Sequence, residues 1–421
     1  MPSLTCPREI RKVADRFKSS TDFPYHILCE LLGVMVLGCV TINETVRQSG
    51  WVHSVSTLDR RMHAFESIRF MRRLRSSLLN KYKSIMTPER FCFAVDDTTV
   101  ERSGKRIYAC GRHPRHRKNG VMRAQRVIVL FLVDRQRGVA FPLAFAMCLN
   151  KDCEGFQTNQ DLCFDLVKQV IESGYPALVT VVDSGFDSMP LMKRFDEENW
   201  TIVMECKSNR NVKKNPSPNA KWTKWKSALQ KEMKISAKLA PTDHNKKCRK
   251  TKYIASRCVQ LTGRSALVKA GAVYNKVSDS EFFAVYVSND LQMRGADLWE
   301  YSRARWHVEE AFRTLKQSLN FLAVPCRDKN PTMASICLPF ALLASLHMEP
   351  EAWNGDHLDA AGHLVRKFRE RVMWEAFDLM TTGQKRIAII TLKIRRLTHK
   401  NRKKPTDPSA DDIMRYFSHA S

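Results

Sequence analysis

Two aspartates stand where predicted strands end, and their side chains suit metal-dependent chemistry. Asp97 closes the apolar segment 91–97, and Asp183 closes the apolar segment 177–183. Because binding groups in α/β sheets collect at the carboxyl ends of strands, we expect the two carboxylates to lie close together. Neighbouring carboxylates repel each other, and a divalent cation bound by their oxygens relieves that repulsion. The pattern predicts a metal site, and Mg²⁺ is the ion best suited to phosphate chemistry.

Each aspartate also has a purely structural interpretation. Asp183 could be a cap or turn residue, although Asp187 is better placed to cap the helix predicted over 189–198. Asp96 directly precedes Asp97, so one of the pair could begin a turn while the other binds the metal. The sequence leaves the choice between Asp96 and Asp97 open.

A third acid lies on a helix predicted from about 296 to 319. Polar side chains recur along one face of this helix: Tyr301, Arg305, Glu309 and Lys316. An apolar stripe beside that face would press the helix onto a sheet: Val308, Phe312, Leu315 and Leu319. A surface ladder of ion pairs would explain Glu309 equally well if it stood alone. Together with the two strand-end aspartates, Glu309 is predicted to complete an acidic site.

The charge balance predicts an anionic partner. The chain of 421 residues has 70 Lys and Arg against 43 Asp and Glu, which gives a net charge of +27. Three stretches carry most of the excess: 102–126, 207–252 and 366–404. Phosphate backbones bind such stretches by releasing counterions, whereas any single stretch could also be a solvated loop face. Hydrophobic residues make up 43% of the chain, which argues against a wholly disordered basic protein and favours a folded one that binds nucleic acid.

No segment predicts insertion into a membrane. The longest apolar run, 27–42, contains Glu30 and is shorter than the roughly 20 residues that cross a bilayer. The N-terminal residues show no secretory signal, and the 13 cysteines form no Cys-x-x-Cys pair. These features predict a cytoplasmic protein with reduced thiols.

Residues 1–90 show helical periodicity and are predicted to form an N-terminal DNA-binding domain. Within it, a helix over 41–48 ends at a Ser-Gly pair, and a second helix begins at Ser54. The second helix carries Arg60 and Arg61, which would suit a major groove. The arrangement predicts a helix-turn-helix, with a plain helical hairpin as the alternative.

From residue 91 the pattern changes to strands and helices in alternation. The predicted order is three strands, a helix, a strand, a helix and a strand: 91–97, 127–134, 139–147, 159–173, 177–183, 189–198 and 201–206. This order predicts an α/β fold, a ribonuclease H-like mixed sheet flanked by helices, over 91–325. A basic β-rich insertion at about 207–290 interrupts it. Residues 326–421 are predicted to form a helical C-terminal region with a basic tail.

The acidic residues and their surroundings resemble the DDE transposases of bacterial insertion sequences, in the branch with a Tyr-Arg-Glu-Lys signature. The similar segments are Asp97-Thr98-Thr99, Val182 to Phe186, and the helix from Arg305 through Glu309 to Lys316. In that family the tyrosine precedes the arginine by three residues, whereas here Tyr301 precedes Arg305 by four. Both spacings lie on one helix face. The similarity covers roughly residues 90–325.

This resemblance implies a two-metal active site. Asp97, Asp183 and Glu309 would hold two Mg²⁺ ions, or Mn²⁺ in their place, which activate water and then a DNA 3′-hydroxyl for attack on phosphodiesters. Phe282 is the position similar to an aromatic residue that stacks on a flipped base in some members, with a strand core residue as the alternative. DNA contacts are implied for the signature residues and predicted for basic positions: Tyr301, Arg305, Lys316, Arg60, Arg61, Arg115, Arg117 and Lys118.

The function implied is that of a cut-and-paste DNA transposase. Its partners would be double-stranded DNA, both terminal inverted repeats and target, and a second copy of the chain on paired ends. It would act in the bacterial cytoplasm at the nucleoid, with no membrane. Two alternatives stay open: a metal-dependent nuclease or resolvase of the same core, and a DNA-binding protein that has lost activity, for which a broken acidic triad would be expected.

Overall fold

The computed structural model describes residues 8–18, 55–104, 106–114, 120–207, 210–213, 221–224, 237–239, 252–274, 284–322 and 326–348. Its strands are β1 Phe91–Glu101, β2 Cys110–Pro114, β3 Val121–Asp134, β4 Val139–Met147, β5 Thr180–Val182, β6 Ile202–Glu205, β7 Asn211–Lys213, β8 Thr223–Lys224, β9 Ala237–Leu239, β10 Lys252–Leu261, β11 Leu267–Tyr274 and β12 Ala284–Ser288. Its α-helices are α1 Arg8–Phe17, α2 Val55–His63, α3 Ser67–Tyr82, α4 Asn159–Glu172, α5 Met189–Glu197, α6 Gly295–Ser318 and α7 Lys329–Met348.

The centre of the molecule is a mixed sheet with the strand order β4-β3-β1-β5-β6. Strand β3 runs antiparallel to β1 and β4, whereas β1, β5 and β6 run parallel to one another. The parallel strands are apolar and buried along most of their length, as expected of strands that helices cover. Helices α4 and α6 pack on this sheet. The predicted α/β, ribonuclease H-like fold is confirmed.

The strands of the insertion extend the same sheet. Strand β12 pairs antiparallel with β6, and the sheet continues through β11, β10 and β7 to β8. The sequence predicts strands near 253–259 and 281–287, and β11 between them is additional. Its centre is made of small residues with low strand propensity, which hides it from a pattern search. A Cβ at Gly271 would lie 3.0 Å from Leu298 Cδ1, so α6 passes close to the backbone of β11 there.

Helix α6 is held on the sheet by the apolar stripe predicted for it. Val308, Leu315 and Leu319 are fully buried, and the Phe312 ring meets the Phe131 ring of β3 edge to face, with centroids 5.2 Å apart. Burial of each such side chain contributes roughly 1.5–3 kcal/mol. The polar face of α6 therefore has a defined position relative to the ends of β1 and β5.

Helices α3 and α7 pack on β4, α1 and α2 pack on α7, and all four share one hydrophobic core with the sheet. Helix α7 is apolar and long enough to span a membrane, but all of its apolar window is buried inside the protein, as in a core helix. Helix α2 is the second helix of the predicted helix-turn-helix. The first helix, 41–48, lies outside the described residues, as do the apolar run 27–42 and the region 349–421.

Candidate active site

The register of three parallel strands brings acidic residues side by side. Val95 of β1 pairs with Val182 of β5, which pairs in turn with Met204 of β6. The residue that follows each of these three is acidic: Asp96, Asp183 and Glu205. Glu205 is an acid that the sequence analysis missed. The sequence does contain a sign of it, because Glu205 ends a short apolar strand just as Asp183 follows one. A single sequence does not show, however, that β6 lies beside β5.

Asp96 and Asp97 engage different partners because successive residues of a strand point to opposite faces of a sheet. The Asp96 carboxylate lies on the side of α6, where its Oδ2 is 3.6 Å from Arg305 Nη1. The Asp97 carboxylate accepts two hydrogen bonds of 2.7 Å from Arg126 of β3. Asn159, the first residue of α4, lies next to the same guanidinium. The aspartate that the structure brings to α6 is therefore Asp96, while Asp97 forms a bidentate ion pair on the other face.

Asp183 caps a short turn as well as facing the acidic cluster. Its Oδ1 accepts a hydrogen bond of 2.9 Å from the Gly185 backbone, at the start of a 3₁₀ turn. A Cβ on Gly185 would lie 3.0 Å from that oxygen, so glycine leaves room for the carboxylate. The suggestion that Asp187 caps the next helix is wrong. Ser188 caps α5 by accepting a hydrogen bond from the Leu191 backbone, and the Asp187 side chain is fully buried in an ion pair with Arg210.

Arg305 of α6 lies between the acids. Its Nη1 is 3.0 Å from Glu309 Oε1, one helical turn away, and also contacts Asp96. The Arg305–Glu309 ion pair expected of a surface ladder is therefore present. It lies at the strand ends, beside Asp96. Burial lowers the pKa of Arg305, and Asp96, Glu309, Asp183 and Glu205 outweigh that effect and raise it. The guanidinium is thus charged; it contacts the carboxylates of Asp96 and Glu309 and lies within electrostatic range of Asp183 and Glu205.

The acids are close enough to hinder one another's ionisation. Burial, followed by the negative charge of Asp183, raises the pKa of Asp96 to about 7, although Arg305 opposes the shift. Burial also raises the pKa of Asp183, and Arg305 again acts in the opposite direction. A carboxyl that is only half ionised near neutral pH, beside a second carboxyl, gains stability when a cation binds. Hard carboxylate oxygens are also the ligands that Mg²⁺ and Mn²⁺ prefer.

The donor set fits a divalent cation in its chemistry, and the side chains would have to close around it. Among the described residues, no three acidic, histidine or cysteine side chains converge closely enough to hold a metal ion. The Arg305 guanidinium bridges Asp96 and Glu309 instead. Cation binding to these two carboxylates would therefore require Arg305 to release them.

The two remaining signature residues of α6 make different contacts. The Lys316 ammonium donates a hydrogen bond of 3.0 Å to the Thr99 carbonyl of β1, and burial lowers its pKa while the charges of Asp97 and Asp96 oppose that shift. The Tyr301 hydroxyl is buried and donates to the Pro88 carbonyl, while Arg135 stacks over its ring. Lys316 thus lies near the aspartates, whereas Tyr301 packs away from them and offers no exposed group to DNA.

The other residues predicted to contact DNA are only partly described. Arg60 is exposed and Arg61 half-buried in the last turn of α2. Four predicted positions lie outside the described residues: Arg115, Arg117, Lys118 and Phe282. Their roles stay predictions.

One comparison with known proteins, a match to a family profile, assigns the chain to a family. The profile of the family described as Transposase DDE domain matches residues 89–343, more than half of the chain. A search of curated proteins finds no match. One solved structure that the chain is similar to is described as a cryo-EM structure of piggyBac transposase synaptic complex with hairpin DNA, with 13% identity, a TM-score of 0.41, and coverage of 97% of this chain and 86% of that one. The family match spans β1, β5 and α6, and on this basis the chain belongs to the DDE transposase family.

Proposed function

We propose that the protein is a cut-and-paste DNA transposase that binds terminal repeats, cleaves phosphodiesters and joins DNA 3′-hydroxyl ends to target DNA. The observation that carries the proposal is that the Arg305 guanidinium contacts Asp96 and Glu309 and lies within electrostatic range of Asp183, at the ends of parallel strands. These acids come from the three elements on which a ribonuclease H-like core builds its site, and the family match covers all three.

Asp96, Asp183 and Glu309 would hold two divalent ions, Mg²⁺ or Mn²⁺. When bound, such ions stabilise the charge that develops on the phosphate and lower the pKa of the attacking hydroxyl. We favour Asp96 over Asp97 as the ligand from β1, because Asp97 points to the other face and is paired with Arg126. Asp97 would then position Arg126 and the adjacent end of α4 rather than bind metal.

The basic residues would place the DNA. Arg305, once it releases Asp96 and Glu309, would contact a phosphate beside the cut, and Lys316 at the end of α6 would contact the backbone further along. The net charge of +27 supports a large phosphate footprint. Arg60 and Arg61 of α2 would bind the terminal repeat. Two copies of the chain would act together, because both ends of the element are joined to the target in bacterial DNA.

A cleavage and strand-transfer assay tests this function. A plasmid that carries the element with both ends is incubated with the protein and Mg²⁺, and nicked, excised and joined products are separated. Wild-type protein is compared with Asp183→Asn and Glu309→Gln, which remove a charge with little change in volume. Glu198→Gln serves as the matched control, because Glu198 pairs with Lys168 on the surface.

The proposal predicts that wild type and the control cut and join, while both active-site variants bind the ends but do neither. Cutting without joining by wild type would assign the protein as a nuclease or resolvase. Binding without any cutting would assign it as an inactive DNA-binding protein. Full activity of Asp183→Asn would show that the acids have been misassigned.

A further inference from the structure

The fourth acid of the cluster, Glu205, faces α6. Glu205 of β6 pairs directly with Tyr286 of β12. The Tyr286 side chain points to α6, because its ring lies 6.2 Å from the ring of Trp299 on that helix. Directly paired residues of neighbouring strands lie on the same face of a sheet. The Glu205 carboxylate therefore lies on the side of the sheet where Arg305 lies.

The charges of Glu205 and Arg305 interact. Burial raises the pKa of Glu205, Arg305 opposes this shift, and Asp183 and Glu309 add to it. Glu205 is likewise among the four acids that raise the pKa of Arg305. Of these four, Asp96, Asp183 and Glu309 form the proposed metal-binding set, and Glu205 is the one left over.

Metal binding would remove the two carboxylate partners of Arg305, and Glu205 is an acid that could replace them. A divalent cation on Asp96 and Glu309 takes the carboxylate oxygens that Arg305 contacts, at 3.6 and 3.0 Å, and repels the guanidinium. The Arg305 side chain is only 27% exposed, and a buried charge without a partner is costly. An anionic group that is not itself a metal ligand would keep the guanidinium within the site.

We propose that Glu205 is a positioning residue that accepts the Arg305 guanidinium when divalent cations bind Asp96, Asp183 and Glu309. In the metal-free protein Arg305 bridges Asp96 and Glu309; in the metal-bound protein it turns towards Glu205. The exchange keeps Arg305 at the rim of the site, where a DNA phosphate would lie. This inference rests on the proposed function, because it assumes the metal site.

A double-mutant cycle of Mn²⁺ binding tests the proposal without DNA or activity. Free Mn²⁺ is measured by electron paramagnetic resonance for wild type, Glu205→Gln, Arg305→Gln and the double variant. Without Glu205, Arg305 keeps its contacts with Asp96 and Glu309 and competes with the metal. We therefore expect Glu205→Gln to weaken Mn²⁺ binding about tenfold, the loss typical of a residue that orients metal ligands.

The decisive comparison is the same substitution without Arg305. In the Arg305→Gln background no guanidinium competes with the metal. Glu205→Gln should then change Mn²⁺ binding less than about twofold, well below the tenfold loss expected when Arg305 is present. An equal loss in both backgrounds would overturn the proposal and make Glu205 a metal ligand. No loss in either background would overturn it as well. Glu198→Gln is the charge control, and thermal unfolding checks that every variant folds.

Asp183→Asn separates failure of this inference from failure of the proposed function. If wild type and Asp183→Asn bind Mn²⁺ equally, the metal site itself is misplaced. If Asp183→Asn abolishes binding while Glu205→Gln has the same effect with and without Arg305, only the role of Glu205 is wrong.

Discussion

Asp96 and Asp97 are consecutive residues of β1, yet their carboxylates pair with arginines on opposite faces of the sheet. Asp96 lies 3.6 Å from Arg305 of α6, and Asp97 lies 2.7 Å from Arg126 of β3. Glu309 is on α6, and Asp96 is the aspartate whose carboxylate lies on the side of that helix. This geometry is the reason why we favour Asp96 over Asp97 as the proposed metal ligand from β1.

The two aspartates should respond differently to the same substitution. Asp96→Asn is expected to abolish Mg²⁺-dependent DNA cleavage, because it removes a proposed ligand. Asp97→Asn breaks the bidentate pair with Arg126 and should lower the free energy of unfolding by about 1–3 kcal/mol, because the arginine is 23% exposed and Asn159 lies beside it. Cleavage by folded Asp97→Asn protein should persist. Urea unfolding and single-turnover cleavage together check this prediction.

The opposite result would restore the assignment made from the resemblance. If folded Asp97→Asn protein is inactive while Asp96→Asn still cuts, Asp97 is the ligand from β1. In that case the side chain of Asp97 would have to leave Arg126 when metal and DNA bind.

Gly185 leaves room for the carboxylate of Asp183. In Gly185→Ala the new methyl group would lie 3.0 Å from Asp183 Oδ1 and displace it. We expect Mn²⁺ binding to weaken by roughly tenfold or more, because the position of a ligand is disturbed. The melting temperature should change little, since this glycine has no left-handed backbone conformation. Calorimetric titration measures the affinity, and unaltered binding would show that Gly185 does not set the position of the Asp183 carboxylate.

Metal binding should depend on pH near neutrality. A cation binds the ionised carboxylate, and burial with the charge of Asp183 raises the pKa of Asp96 to about 7. Below that pH the cation must displace a proton, so Mn²⁺ affinity should rise from pH 6 to pH 8 and then level off. Calorimetry in two buffers of different ionisation enthalpy counts the protons released. Release of no proton at pH 6 would contradict the raised pKa.

Lys316 should contribute to DNA binding through its charge. Lys316→Met is expected to weaken binding of all sequences alike and to reduce the dependence of log Kd on log salt by about one. Lys168→Met, which removes a lysine from a surface pair, is the matched control. If the salt dependence is unchanged and only the melting temperature falls, Lys316 serves to hold α6 to the Thr99 carbonyl.

The core elements could be predicted because their patterns are local. The apolar runs of β1, β3 and β4 and the stripe of α6 are readable from spacing alone, and the structure has these elements. Strand β11 could not be predicted, because its central residues are small and have low strand propensity. Small residues fit there because α6 passes close to the strand.

The site was harder to predict because it depends on faces and neighbours. Strand β1 is buried on both faces, so its sequence carries no alternation that tells Asp96 from Asp97. Glu205 joins the cluster only because β6 lies beside β5. Tyr301 lies on the same helix face as Arg305 and Glu309, but its hydroxyl donates a hydrogen bond to the carbonyl of Pro88, which is distant in the chain.

Metal rescue tests the central claim most directly. Thiolates bind Mg²⁺ poorly and softer ions better, so Asp183→Cys should lose cleavage in Mg²⁺ and recover part of it in Mn²⁺. Asp97→Cys serves as the control, and it should show no such change in metal preference. Recovery by Mn²⁺ at Asp183 alone would identify its side chain as a ligand of a catalytic ion. If Asp183→Cys binds DNA but stays inactive in both metals, or cuts equally well in Mg²⁺, the metal-dependent active site proposed here is contradicted.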